Sequence, residues 1–393
     1  MHEIKVKYIG SDLKTGKKCE IHNSALIMGE YPEEETVKQI YGFLNHPAFA
    51  GSQIRIMADH HAGSGSCIGF TMTQNNYVIP NVVGVDIGCG MLATNLGKIS
   101  ANFQELDNFI RENIPLGFSV RSKESRTLKN FRDDVDRFIE VASRINIDTN
   151  RVILGLGSLG GGNHFAELDQ APNGDIWLVI HTGSRNFGKS ICDYHQNRAK
   201  ELMNEMFIGD AYKNLEFMPY DKGGSSYLND MRIAQKYASL NRTIITHNIV
   251  TFLNVNINDQ IESVHNYIGD DKIIRKGAIS AYKEQEVIIP LNMRDGCIFG
   301  TGKGSDKWNN SAPHGAGRIL SRKKAKETVD IEKYKETMQG VWSTSINEST
   351  LDESPFAYKD GEEIKNALSE TVDIDFVTKP IYVIKDSKKE EEI

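Results

Sequence analysis

The stretch from residue 83 to residue 91 constrains the fold more strongly than any other, because it places a carboxylate and a thiol among glycines. Asp86 and Cys89 lie three residues apart, and glycines occupy positions 84, 88 and 90. Glycine permits turns and close approaches that a side chain would block, so a turn after the strand predicted at 77–80 can direct both groups at one point. Deprotonated carboxylates and thiolates bind divalent cations. The stretch indicates a metal site, and a glycine-rich turn around a buried structural cysteine is the alternative.

The composition is that of a globular chain without a strong overall attraction to polyanions. The chain has 393 residues, 39% of them hydrophobic, and a net charge of −7, so a polyanion would need a local basic patch. Its five cysteines are scattered without paired spacing, which predicts a reducing compartment and thiols kept for metal binding or packing. The N-terminus lacks the apolar core of a signal sequence, and no stretch approaches the ~20 apolar residues that cross a bilayer. We expect a cytoplasmic protein without membrane contact.

A glycine-rich run at 155–162 lies between two predicted strands. It follows a strand predicted at 151–154 and contains the pattern G-x-G-x-x-G. The dinucleotide fingerprint needs a helix after this pattern, whereas the following residues predict another strand, so a nicotinamide oxidoreductase is disfavoured. His164 begins that strand and His181 ends the next one. In an antiparallel pair these two histidines would lie close together.

Other polar residues also follow predicted strands or occupy small-residue turns. Residues 59–61, an Asp and two His, are a candidate wall of a site or a plain surface turn. Arg185 stands among small residues, a composition suited to binding a phosphate. His265 ends a predicted strand. His314 precedes Gly-Ala-Gly and a helix predicted over 319–328, whose free backbone N–H groups would form an anion site.

One thiol, one carboxylate and four imidazoles therefore all lie at predicted strand ends or in glycine-containing turns. The motifs around them resemble those of the RtcB-type RNA ligase family. The motifs span nearly the whole chain in the order that the family has them. They lie at residues 59–65, 85–91, 162–167, 181–185, 265–267, 275–278, 314–318 and 352–359.

The resemblance implies an α+β fold in one compact catalytic domain over residues 1–385. Its β-sheets would surround a central pocket for two metal ions and a nucleotide, with helices outside. Residues 386–393 would form a charged C-terminal tail, which we expect to be disordered.

The resemblance also implies a reaction. Such ligases join an RNA end with a 2′,3′-cyclic phosphate or 3′-phosphate to a 5′-hydroxyl end, using GTP and two manganese ions. His314 would be the nucleophile that carries the guanylate, and Cys89 would bridge the two ions. The other metal ligands would be Asp86, His164, His181 and His265. Arg185 would bind a phosphate of the substrate. The guanylate contacts would be Asn163, Phe165, Glu167, Gly315, Ala316, Tyr358 and Lys385.

The chemistry of these residue types agrees with that reaction. A neutral imidazole is nucleophilic near pH 7 and is a good leaving group from phosphorus. Two cations can offset charge on the attacking and leaving oxygens. Cysteine and histidine favour zinc over manganese, so we predict that zinc binds but inhibits.

Several alternatives stay open from the sequence. The same ligands would serve a metal-dependent RNA phosphodiesterase or nuclease, and a non-catalytic RNA-binding module is a third hypothesis. The loop 292–296, Asn-Met-Arg-Asp-Gly, differs from the Gly-Ser-Met-Gly-Thr form of well-known family members and leaves the GTP specificity open. The natural RNA, from tRNA splicing or from RNA repair, and an archease-like or release-factor-like helper are equally open.

Overall fold

Three large β-sheets and ten α-helices make up the part of the chain that the computed structural model describes, residues 1–11, 18–206 and 212–387. The predicted mixture of helices and sheets in one compact domain is confirmed. Of the predicted charged tail, residues 388–393 lie outside the described ranges. None of the described helices is long and apolar enough to span a membrane.

The first sheet has six strands. In sheet order its strands are β1 (His2–Ser11), β2 (Lys18–Ile27), β3 (Ile54–His61), β4 (Ile68–Thr73), β12 (Ile273–Lys276) and β11 (Tyr267–Ile268). Only β2 and β3 pair in parallel, and helix α1 (Glu34–Leu44) makes the crossover between them. The sequence predicted Asp59 and its two histidines in a turn, but β3 continues through them, which fixes the direction of each side chain.

The second sheet has five antiparallel strands and carries most of the candidate site. Its order is β10 (Asp259–Val264), β6 (Gly90–Asn95), β8 (Ile176–Thr182), β7 (Phe165–Gln170) and β18 (Lys379–Ile384). Alternate residues of β8 serve two different cores, as the two-residue period of a strand requires. Leu178 and Ile180 pack towards helices, whereas Trp177 and Val179 pack towards a third sheet. That sheet consists of β14 (Glu286–Asn292), β15 (Gly296–Gly302) and β17 (Val372–Val377).

Two short strand pairs complete the sheets of the described residues, and nine further helices pack with them. The pairs are β13 (Ala278–Ser280) with β16 (Ser311–Pro313), and β5 (Tyr77–Val78) with β9 (Met218–Pro219). The remaining helices are α2 (Pro80–Val83), α3 (Phe103–Asn113), α4 (Arg132–Arg144), α5 (Thr149–Gly155), α6 (Arg185–Glu205), α7 (Gly224–Leu253), α8 (Arg322–Thr328), α9 (Ile331–Thr337) and α10 (Gly361–Leu368). The largest apolar core joins the first sheet to α4, α6 and α7.

Two predicted elements are wrong, and in each case a local signal explains the difference. The strand predicted at 151–154 is helix α5, which Asp148 caps by accepting hydrogen bonds from two backbone N–H groups at 2.9 and 3.1 Å. A cap of this kind starts a helix even where Val and Ile favour a strand. The helix predicted over 319–328 begins only at Arg322, where Ser321 is the cap.

Candidate metal and nucleotide site

The five predicted metal ligands converge at one end of the second sheet. His181 lies near the end of β8 and pairs with Phe165 at the start of β7, so the predicted proximity of the two histidine-bearing strand ends is borne out. Cys89 immediately precedes β6, and its carbonyl accepts the backbone N–H of His265 at 2.8 Å. Antiparallel pairing of β10, β6, β8 and β7 therefore brings four chain segments together.

Glycine is needed at two positions that bring Asp86 and Cys89 to this end. Gly88 has a φ of +70°, and a Cβ there would lie 2.7 Å from the backbone of α7. A Cβ at Gly183 would lie 2.1 Å from a carboxylate oxygen of Asp86, so that carboxylate can approach the chain only at a glycine. The same carboxylate accepts the backbone N–H of Ser184 at 3.1 Å. The sequence motif at 85–91 thus has a steric cause.

Cys89 belongs to two sets of possible ligands. One set is Cys89, His181 and His265, and the other is Asp86, Cys89 and His164, with the ligand atoms of each set within 4.8 Å of one another. The Sγ atom of Cys89 lies 3.4 Å from Nε2 of His181 and 3.5 Å from Nε2 of His164. Thiolate, imidazole and carboxylate are all ligands of transition-metal cations. A donor shared by two sets fits a pair of neighbouring cations.

Backbone carbonyls orient two of the imidazoles towards the thiol. Nδ1 of His164 lies 3.1 Å from the carbonyl oxygen of Leu159, and Nδ1 of His181 lies 3.2 Å from that of Asn163. Because a carbonyl only accepts hydrogen bonds, Nδ1 of His181 carries the proton and its Nε2 keeps a lone pair. Nδ1 of His265 is buried and has no hydrogen-bond partner within the described ranges. The donor set therefore fits a divalent cation.

Burial keeps two histidines of the cluster neutral. Burial lowers the pKa of both His181 and His265 well below the ordinary histidine value, so their lone pairs are free. Burial opposes ionisation of Asp86, but the hydrogen bond and charge of His164 outweigh it and hold that pKa at about 2. Burial and the charge of Asp86 raise the pKa of Cys89 well above its usual range. A bound cation would displace this thiol proton.

His314 stands beside the cluster and is held by a carboxylate from the first sheet. Its ring centroid lies 4.6 Å from that of His265. Asp59, fully buried on β3, has Oδ2 2.6 Å from Nδ1 of His314 and accepts the backbone N–H of the same residue at 3.0 Å. The carboxylate fixes the proton on Nδ1 and leaves a lone pair on Nε2. The sequence indicated Asp59 as a site wall but missed this pairing.

A cavity of about 340 Å³ opens next to His314 and His181. Every residue predicted to contact the guanylate lines it. These residues are Asn163, Phe165, Glu167, Gly315, Ala316, Tyr358 and Lys385. Two residues of the divergent loop, Asn292 and Met293, also line the cavity. Its size and its mixed aromatic and charged lining suit a mononucleotide.

Glu353 organises the polar end of this cavity and was not predicted. Its carboxylate accepts the Tyr358 hydroxyl at 2.8 Å and lies 3.0 Å from Nζ of Lys385, 3.1 Å from Arg322 and 3.4 Å from Arg318. Burial opposes ionisation, but Lys385 and the two arginines lower the pKa of Glu353 below its ordinary value. One carboxylate thus positions three cationic side chains at the cavity, a grouping that attracts phosphate.

The predicted anion site at a helix N-terminus after His314 is wrong. Helix α8 begins eight residues later, at Arg322, so its free N–H groups do not follow the histidine directly. Positive charge comes instead from side chains, because Arg318 and Arg322 both line the cavity. The region can still bind an anion, but the positive charge comes from arginine side chains and not from a helix N-terminus.

A second cavity, of about 500 Å³, lies on the other side of Asp86. Arg185 lines it, donates to the carbonyl of Gly117 at 2.8 Å and lies 3.3 Å from the ring of His164. Arg151 and Lys189 add positive charge, and Phe118, 82% exposed, supplies an aromatic ring. The candidate ligands therefore separate a nucleotide-sized cavity from a cationic one that bears an aromatic surface.

Two adjoining sets of metal ligands lie between a nucleotide-sized cavity and a cationic cavity. This arrangement is typical of a metal-dependent enzyme that acts on nucleotides or nucleic acids. The family model described as tRNA-splicing ligase RtcB matches residues 39–386, and the chain belongs to this family of RNA ligases. The RNA-splicing ligase RtcB of Escherichia coli (strain K12) is 31% identical over 372 residues, covering 86% of this chain and 91% of the relative. The tRNA-splicing ligase RtcB of Nanoarchaeum equitans is 29% identical over 455 residues, covering 91% and 93%. The family predicted from the motifs is thereby confirmed, and the protein is an RNA ligase.

Proposed function

We propose that this ligase joins RNA ends carrying a 2′,3′-cyclic phosphate or 3′-phosphate to 5′-hydroxyl ends through a guanylate carried on His314. GTP would be the donor, and two manganese ions would occupy the ligand sets that share Cys89. The observation that carries the proposal is the position of His314, which Asp59 orients at 2.6 Å and whose ring lies 4.6 Å from that of His265.

The reaction would proceed in three balanced displacements at phosphorus. Nε2 of His314 attacks the α-phosphorus of GTP, a P–N bond forms, and pyrophosphate leaves. An oxygen of the RNA 3′-phosphate then attacks the same phosphorus, which frees the histidine and leaves the RNA end activated with GMP. The 5′-hydroxyl of the second RNA attacks the activated 3′-phosphate, loses its proton, and releases GMP. A cyclic phosphate would first take up water and open to the 3′-phosphate.

Divalent cations, when bound, would offset the charge on the phosphate oxygens in each displacement. The side chains of this chain would bind and orient the reactants. Lys385, Arg318 and Arg322 suit the phosphates of GTP, while Asp59 stabilises the imidazolium character that develops as the P–N bond forms. Lys385 also lies 5.2 Å from the ring of Phe165, so that ring is held against the cavity wall.

The larger cavity is suited to the RNA ends. Arg185 reaches both this cavity and the ring of His164, which supports a role in holding the phosphate that undergoes transfer. The described cysteines are unpaired, which supports a reducing compartment such as the cytoplasm. The predicted catalytic domain, residues 1–385, ends at Lys385, and the position of that side chain in the lining of the nucleotide cavity supports this boundary.

The test is covalent labelling of the full chain with [α-³²P]GTP and manganese. We expect acid-labile, base-stable label on the protein, its loss in His314→Ala, and its retention in the exposed control His247→Ala. Label should chase onto a 3′-phosphate RNA and then be released as GMP on joining to a 5′-hydroxyl RNA. Cleavage of RNA by a protein that never takes up label would favour the alternative, a metal-dependent phosphodiesterase, and would refute the guanylate route.

A further inference from the structure

Two adjacent residues of helix α7 contact, from behind, the chain segments that carry the candidate metal ligands. Asn241 and Arg242 are fully buried, and neither lines the nucleotide-sized cavity or the cationic cavity. The helix approaches this end of the second sheet closely, because a Cβ at Gly90 would lie 3.4 Å from Cζ of Arg242. Both residues can therefore affect the site only through the segments that they contact.

The guanidinium of Arg242 contacts three chain segments at once. Its Nη1 donates to the carbonyl of Gly88 at 3.0 Å and to that of Thr182 at 2.7 Å. Its Nε donates to the carboxylate of Glu262, on β10, at 2.9 Å. A planar guanidinium has five donors in a fixed fork, so it can hold two carbonyls and a carboxylate at set angles to one another.

Each of these contacts lies within three positions of one metal ligand. The contacted residues are the one before Cys89, the one after His181 and one three positions before His265. These three ligands form the first ligand set. Since Nδ1 of His265 has no hydrogen-bond partner within the described ranges, no bond at that atom orients its ring. The placement of this set therefore depends on the segments that Arg242 joins.

Asn241 contacts a different pair of segments. Its Oδ1 accepts the backbone N–H groups of Gly157 and Ser158 at 2.7 and 3.1 Å. Its Nδ2 donates to the carbonyls of Ser158 and Gly183 at 3.0 and 3.3 Å. One amide thus joins the glycine-rich run to the turn after β8.

These two segments position the remaining candidate ligands. Leu159 directly follows the first segment, and its carbonyl lies 3.1 Å from Nδ1 of His164. The carboxylate of Asp86 packs against Gly183, where a Cβ would lie 2.1 Å from one of its oxygens. Both ligands belong to the second ligand set, which shares only its thiol with the first.

We infer that Arg242 is a positioning residue for the first ligand set and that Asn241 is a positioning residue for the second. The inference rests on the proposed function, because it concerns the two cations proposed there, and deepens it by giving each cation its own support on one helix. Groups that hold metal ligands from behind typically contribute about 10–100-fold to metal affinity. Each cation therefore responds to one of two neighbouring residues that touch neither metal nor substrate.

The competing explanation is that both residues only stabilise the fold. A buried ion pair such as that of Arg242 with Glu262 is by itself weak evidence for any role. A general loss of packing would weaken the binding of both cations alike, whereas the loss of one specific support weakens the binding of one. The identity of the affected cation therefore separates the two explanations.

The experiment is equilibrium dialysis of the metal-free full chain against Co²⁺, with the bound ions counted by elemental analysis. Cobalt accepts thiolate and imidazole ligands, and its thiolate complexes absorb in the near ultraviolet, so the absorption reports ligation by Cys89. The measurement needs neither GTP nor RNA, so failure of the labelling experiment would leave it intact. We expect the wild-type protein to bind two ions.

Arg242→Gln should weaken the binding of one ion about 10–100-fold and leave the other bound, with its thiolate absorption as evidence that the variant is folded. Arg242→Lys keeps a buried cation but lacks the fork that holds three acceptors, so it should weaken the same ion. The control is Arg232→Gln, on the same helix with a side chain that is 56% exposed, which should bind both ions as the wild type does. Full affinity for both ions in Arg242→Lys would overturn the inference.

Double variants identify the ion that is affected. Added to Arg242→Gln, His265→Ala should still leave one ion, because both changes act on the first set, whereas His164→Ala should leave none. Asn241→Ala should show the reverse pattern, and Asn229→Ala, at an exposed position of the same helix, is its control. Two ions in the wild-type protein that weaken alike in Arg242→Gln would overturn the inference alone. A wild-type protein that binds one ion would overturn the proposed pair of cations as well.

Discussion

Replacing Asp59 by Asn would test how the nucleophile is prepared. Oδ2 of Asp59 accepts two hydrogen bonds from His314, one from Nδ1 at 2.6 Å and one from the backbone N–H at 3.0 Å. Asparagine has nearly the same shape but carries no charge, and its amide can instead donate to Nδ1 and move the ring proton to Nε2. The variant therefore loses both the charge that stabilises the imidazolium and the fixed tautomer.

The expected magnitude follows from the loss of one charge-assisted hydrogen bond. Such a bond contributes about 1.5–3 kcal/mol, which corresponds to a roughly 10–150-fold slower reaction. We therefore expect the single-turnover rate of protein labelling by [α-³²P]GTP to fall within that range in Asp59→Asn. The neutral amide oxygen can still accept the backbone N–H, so most of the protein should remain folded.

The matched control is Asp270→Asn, at an acidic side chain that is 94% exposed. It should label at the wild-type rate. Urea unfolding of each sample would verify that a slow rate does not reflect unfolded protein. A rate in Asp59→Asn within about threefold of wild type would contradict the idea that the carboxylate fixes the reactive nitrogen.

Four further predictions concern metal, RNA and pH. Cys89→Ala should lower the manganese content measured by elemental analysis, because both ligand sets lose a member, whereas the buried control Cys67→Ala should not. Metal-stripped protein resupplied with zinc should bind the ion yet join no RNA, and full activity with zinc would contradict this. Phe118→Ala should weaken binding of a 3′-phosphate oligonucleotide about 5–150-fold, from ~1–3 kcal/mol of lost base stacking, while labelling by GTP stays unchanged; equal RNA affinity would exclude a stacking role. Burial lowers the pKa of His46 to about 4, so between pH 6.5 and 4 the unfolded chain binds a proton that the folded chain does not, and roughly 3 kcal/mol of stability is lost as the pH falls through that window; urea unfolding at pH 7.5 and 4.5 should show a smaller loss in His46→Gln.

Local patterns were sufficient to predict which residues would meet, because the candidate ligands lie at strand ends. The Asp86 and Cys89 motif, and the histidines that flank β7 and β8, were all visible as polar residues beside glycine or at the limit of an apolar run. Antiparallel pairing then brings such residues together without further information.

Contacts between segments far apart in the chain could not be predicted in the same way. Asp59 and His314 are 255 positions apart, and nothing in the local sequence of either indicates their hydrogen bond. Glu353 lies in the motif at 352–359, but its role depends on Lys385 and Arg318, which come from other elements, and the motif does not indicate those contacts. The wrong prediction of a strand at α5 had a local cause instead. The helix cap at Asp148 outweighed the strand preference of the β-branched residues that follow it.

The pairing of β18 with β7 has a consequence for synthesis of the protein. Lys385 directly follows β18 and lines the same cavity as His61, so the nucleotide pocket needs residues drawn from most of the translated sequence. A nascent chain still attached to the ribosome, with this strand inside the exit tunnel, would lack part of its GTP pocket. Ligase activity would then begin only after translation has passed this strand. A truncated message that ends before the codons of this strand would yield a fragment that cannot join RNA.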